Sequence, residues 1–63
     1  MMSKPSINSR WRSILSGVYV RVRDVQGDVI VLVDGSGNRT HVHIRDFNAE
    51  YRLVAQQKAM NAR

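Results

Sequence analysis

The stretch Val29-Ile30-Val31-Leu32-Val33-Asp34-Gly35-Ser36-Gly37-Asn38-Arg39-Thr40-His41-Val42-His43-Ile44 decides the fold. Its first five residues are apolar on both phases of a strand and β-branched at four positions, which suits a central strand covered on both faces. Asp34, Gly35, Gly37 and Asn38 then supply the turn chemistry of a hairpin loop. Beyond the loop the period is two. Thr40, Val42 and Ile44 share one side, and Arg39, His41, His43 and Arg45 share the other, so an antiparallel strand returns along the first.

Working toward the N-terminus, Val18, Val20 and Val22 alternate with Tyr19, Arg21 and Arg23, the pattern of a half-buried strand. The alternation slips at Asp24-Val25, where a turn or a bulge must absorb one residue, and Gln26-Gly27-Asp28 leads into the central strand. Regular structure is expected from near Trp11. Residues 1–9, polar and holding the only proline, Pro5, read as a flexible arm before a single domain over residues 10–63. Toward the C-terminus, Asp46 is a good N-cap and Asn48 to Arg63 is rich in helix formers, with Phe47, Tyr51, Val54 and Ala55 near one helical face. The competing reading is one helical turn over Asp46 to Glu50, then a short strand, Tyr51 to Val54, that closes a small barrel. Fold class is therefore mainly β: a small antiparallel SH3-like sheet or barrel of three to five strands with a C-terminal helix.

The chain has 63 residues, and its 10 Lys and Arg against 5 Asp and Glu leave a net charge of +5. So short a chain buries only about 60% of its unfolded surface. With no cysteine, neither disulfides nor a Cys-based zinc site can add stability. Oligomerisation can, and a homodimer is expected. The longest apolar run, Val29 to Val33, is far below the roughly 20 residues needed to cross a bilayer, and no signal-peptide pattern opens the chain, so a soluble cytoplasmic protein is expected.

Two basic strips follow from the strand phases. Tyr19, Arg21 and Arg23 share one, and Arg39, His41, His43 and Arg45 share the other. Side by side they suit phosphates, with Tyr19 placed to stack on a base. The preference for eight arginines over two lysines adds bidentate phosphate pairing. The same phases equally suit a basic protein that merely keeps its polar side solvated. Trp11, Arg12 and Tyr51 form a second candidate set, as anchors for an acidic protein partner, although Trp11 also suits the open end of a small core. His41 and His43 point the same way but find no third metal ligand. The glycine loop leads into a strand rather than a helix, so it is a turn and not a phosphate cradle. Ser13 and Ser16 have no evident base or oxyanion loop, and Asp24 and Asp28 flank a turn. No enzyme, cofactor or metal is expected.

The spacing of Trp11, Gly17, Val20, Val22, Val25, Gly27, Val29, Phe47 and Tyr51 resembles that of a family of short enterobacterial prophage-encoded proteins of unknown function. The resemblance implies an SH3-like sheet and a phage or prophage origin, and carries over no catalytic residue. Locally, Val18 to Tyr51 is similar to the dimeric carbon-storage translational regulators, small strand proteins with a C-terminal helix that bind messenger RNA. Their N-terminal strand has no match in Met1 to Gly17. The function expected is non-enzymatic binding of nucleic acid, DNA or RNA, or of a nucleoprotein complex through the basic sheet face. The alternative is a module that engages a host protein through Trp11 and the C-terminal helix.

Overall fold

The computed structural model describes residues 4–55. Five strands form one antiparallel, open sheet: β1 (Arg10–Ser13), β2 (Tyr19–Gln26), β3 (Val29–Asp34), β4 (Arg39–His43) and β5 (Tyr51–Ala55), with α1 (Ile44–Glu50) between the last two. The order across the sheet is β4-β3-β2-β1-β5. The seven residues of α1 thus connect its two edges. A flat sheet would put those edges about 19 Å apart, whereas a helix of that length covers about 10 Å. The sheet must curl around its inner face, and the helix closes one end.

Two of the three hairpins, β2–β3 and β3–β4, form where the sequence places turn residues. Gly27 has φ 61° at the first of two loop residues between the paired Gln26 and Val29, a left-handed conformation that glycine adopts without strain. In the β3–β4 loop the Asp34 carboxylate accepts the Ser36 and Asn38 N–H groups at 2.8 and 3.0 Å, and Gly37 takes φ 88°. The slip read at Asp24-Val25 is a bulge in β2. Val22 pairs with Leu32 and Asp24 with Val31, so Arg23 and Asp24 together face one residue of β3 and Val25 returns to the inner face opposite Ile30.

On that inner face Val20, Val22, Ile30, Leu32, Ile44 and Phe47 form the core, with Trp11, Val25, Val42 and Tyr51 packed against it. Phe47 is its centre: fully buried, it meets Trp11 edge to face at 4.6 Å between ring centroids and stacks with Tyr51 at 5.3 Å. Two buried serines tie the periphery down. Ser9 Oγ accepts the Trp11 indole N–H at 2.8 Å, while Ser13 Oγ donates to Glu50 Oε2 at 2.6 Å and accepts the Leu15 and Ser16 N–H groups.

Three expectations change. The chain does not run helical from Asn48: α1 starts earlier, at Ile44, with His43 as its N-cap and Asp46 in its first turn, and ends at Glu50. Tyr51–Ala55 is a strand, as in the competing reading, because β1 offers it an open edge; the rest of the expected helix, residues 56–63, lies outside the described residues. Within the span expected as an arm, the Asn8 N–H bonds to the Val22 carbonyl at 2.8 Å and the Val22 N–H to the Ser9 carbonyl at 3.0 Å, which extends the β1 edge backward along β2.

Candidate functional site

Residues directly opposite in a sheet share a face, so the pairing registers lay out the outer surface. Arg12 stands opposite Tyr19. The next row is Arg10, Arg21, Val33 and Arg39, one residue from each of β1 to β4. Arg23 and Asp24, Val31 and His41 make the third, and Gln26, Val29 and His43 the fourth. Arg52 stands opposite Arg12 on its other side, so six of the chain's ten cationic residues share one face, although the Arg52 guanidinium turns back to the Asn48 and Tyr51 carbonyls at 3.1 and 2.9 Å. Asp24 is the one acid in these rows, and it remains ionised: the Gln26 amide at 3.0 Å, then the Val25 N–H at 2.8 Å, hold its carboxyl below the usual carboxylate range.

Beneath the guanidinium groups the floor is apolar. Val31 is only 4% exposed although it lies on the outer face, and Val33 is half-buried. A groove of about 510 Å³ runs over Val33, lined among others by Asn8, Arg10, Tyr19, Arg21, Arg23, Asp34 and Arg39. Tyr19 borders it with half of its surface open to solvent, and the Arg10 and Arg12 guanidinium carbons lie 5.9 and 5.6 Å from its ring centroid, within cation–π range. Arg12 is further held by an Nε bond to the Gly17 carbonyl at 3.3 Å.

Of the residues expected here, Tyr19, Arg21, Arg23, Arg39 and His41 come together. His43 lies at the far end of the same face, where its Nδ1 accepts the Arg45 N–H at 3.1 Å and caps α1. Arg45 is not part of the face, since it belongs to the helix. The second expected set separates. Arg12 joins the basic face, whereas Trp11 and Tyr51 turn inward onto Phe47 and are not free anchors. Burial, then the Glu50 charge, pushes the Tyr51 phenol above its ordinary value.

Arg10 and Asn8 are the site residues that sequence reasoning missed. The alternation Arg10-Trp11-Arg12, polar-apolar-polar, carried the signal for Arg10: it is a three-residue strand pattern that only the pairing with β2 makes long enough to recognise. Asn8 carries no such signal, and its left-handed φ of 73° is visible only in the folded chain. Among the described residues no group of three or more His, Cys, Asp or Glu is placed to hold a metal ion. The geometry can do two things: bind anions through guanidinium groups, and offer aromatic and apolar surface between them. Comparison with protein-family models, curated proteins and solved structures finds no match to this chain.

Proposed function

We propose that this is a non-enzymatic nucleic-acid-binding protein whose outer sheet face contacts the phosphate backbone. The observation that carries the reading is the row Arg10, Arg21, Val33, Arg39, flanked by Arg12 and Arg23: five guanidinium groups on one side of a small sheet, whose core has no use for them. Arginine presents a planar fork matched to phosphate oxygens and is held here on strands rather than on loops. The protein-partner reading loses its anchors, because Trp11 and Tyr51 are committed to the core.

Charge reversal tests the reading. Arg21→Glu with Arg23→Glu leaves the circular dichroism spectrum intact and abolishes retention of nucleic acid at moderate salt, whereas Arg45→Gln, on the helix, keeps it. Binding by the wild type falls log-linearly with salt, with a slope near −0.7 to −0.9 for each phosphate contacted. A wild-type protein that binds neither DNA nor RNA at low salt refutes the proposal.

A further inference from the structure

Resting on that reading, we infer that the outer face is built for single-stranded nucleic acid, with an unstacked base against Tyr19 and Val33 and its phosphates on the flanking arginines. Three observations favour a single strand over a duplex.

The first is shape. A protein reads the base edges of duplex DNA in the major groove by pushing a helix or a two-stranded ribbon into a channel about 12 Å wide. Among the described residues the one helix, α1, has Ile44 and Phe47 buried against the inner face, on the side of the sheet away from the arginines. The cationic row itself crosses four strands, about 14 Å, which is too broad to enter that groove.

The second is the apolar floor. Phosphates alone need no hydrophobic surface, yet Val33 on the outward phase of β3 lines the groove of about 510 Å³, with Arg10, Arg21, Arg23 and Arg39 around it and Asp34 at one end, its carboxylate engaged by the Ser36 and Asn38 N–H groups. Apolar surface ringed by guanidinium groups matches a base attached to its phosphates. In a duplex the base faces are stacked away and cannot reach it.

The third is Tyr19. It is half exposed at the rim of the groove, with Arg10 and Arg12 within 6 Å of its ring centroid. Arginine planes stack on bases as aromatic rings do, so the cluster offers adjoining flat surfaces of the kind that single-strand binders use without sequence preference.

The test uses the full chain and fluorescein-labelled 12-mers of mixed sequence, as single-stranded DNA, as single-stranded RNA and as the DNA annealed to its complement, followed by anisotropy at 50 mM salt. At least one single strand binds tenfold or more tightly than the duplex, and the two single-stranded arms show which sugar is preferred. Tyr19→Ala then weakens single-strand binding about 5- to 100-fold while leaving the salt slope unchanged, because stacking releases no counterion. Arg21→Gln instead reduces the slope by about 0.7. The unchanged circular dichroism of Tyr19→Ala separates lost stacking from lost folding. If the protein binds duplex as well as or better than either single strand, or if Tyr19→Ala binds like the wild type, the single-strand inference fails while the basic-face proposal stands. If it binds none of the three probes, both fail.

Discussion

Neutralising Arg21 should make the protein more stable, and the gain should vanish with salt. Arg21 stands directly opposite Arg10, one strand pair away from Arg39 through Val33, and two residues from Arg23. Like charges directly opposite on a sheet repel. Taking the mobile guanidinium groups as about 8 Å apart and in water, each pair costs about 0.5 kcal/mol before screening, and three pairs about 1.5 kcal/mol. At 10 mM salt, with a screening length of about 30 Å, roughly three-quarters survives; at 0.15 M, with a length of about 8 Å, roughly a third. Arg21→Gln also uncovers some of Val33, for a loss of about 0.3 kcal/mol, a fraction of one methylene's burial. Asp24 offsets part of the repulsion, mostly at its neighbour Arg23. The net gain is about 0.5–1 kcal/mol at 10 mM salt, or roughly 3–6 °C in melting temperature for a domain of this size, and close to nothing at 0.5 M. Thermal unfolding of the wild type and Arg21→Gln, followed by circular dichroism at both salt concentrations, measures it. A variant that melts at or below the wild type in low salt, or whose gain is the same at both concentrations, refutes the repulsion. It would also remove the argument that folding has no use for this row.

Phe47→Ala deletes the buried ring shared by Trp11 and Tyr51 and should cost about 3–5 kcal/mol, against a total stability of roughly 3–9 kcal/mol for 63 residues; loss of the cooperative urea transition is expected, and a wild-type midpoint would contradict the core described. Ser13→Ala breaks the bond to Glu50 and uncaps the Leu15 and Ser16 N–H groups, for about 2 kcal/mol, read as a lower urea midpoint together with faster amide exchange over residues 14–18. The folded state holds the Tyr51 proton more tightly than the unfolded chain does, so stability from this group is intact below pH 10.0 and is lost as pH rises through the higher folded value; urea midpoints of Tyr51→Phe should lack that part of the alkaline decline. Asp24 has the opposite sign. Its lowered folded value means its contribution is present above pH 3.8 and lost as pH falls below it, and Asp24→Asn should flatten that acid limb.

The strands β2, β3 and β4 were legible because each carries its own period and its own turn signal. β5 was legible only as the competing reading, a strand over Tyr51 to Val54, and the reason it came second is local. Tyr51, Arg52, Leu53, Val54 and Ala55 include good helix formers, and propensities favour a helix there by tenths of a kcal/mol per residue. What overrides them is an edge about forty residues earlier in the chain: Arg12 pairs with Arg52 and Trp11 with Leu53. The i, i+4 spacing of Phe47 and Tyr51 is satisfied all the same, since the two rings stack across the end of α1. Ile44 likewise fits two patterns, the next apolar position of β4 and the buried first residue of the helix, so its alternation could not reveal that the strand had ended.

The site was legible one strand at a time, and its assembly was not. Period two fixes which residues of β2 share a face, but only register places Arg10 beside Arg21 and Arg39 two strands away. The bulge shows how register produces the surface. Val22 and Val25 are three residues apart and both point inward, an odd spacing that a regular strand cannot accommodate. Inserting one residue resolves it and leaves Arg23 and Asp24 together on the outside, opposite Val31. The core therefore dictates the position of the charges: apolar side chains of β1 to β4 hold the inner parity, and the guanidinium groups inherit the outer one. A change on one parity leaves the other side's packing partners in place. Val42→Asp, at a partly buried position on the inner parity, should cost about 1–3 kcal/mol by partly desolvating an unpaired carboxylate, whereas His41→Ala, one residue away on the outer parity, should leave stability within about 0.5 kcal/mol of the wild type. Urea midpoints of the two variants decide the matter, and a Val42→Asp protein that unfolds with the wild type would mean that β4 is turned over.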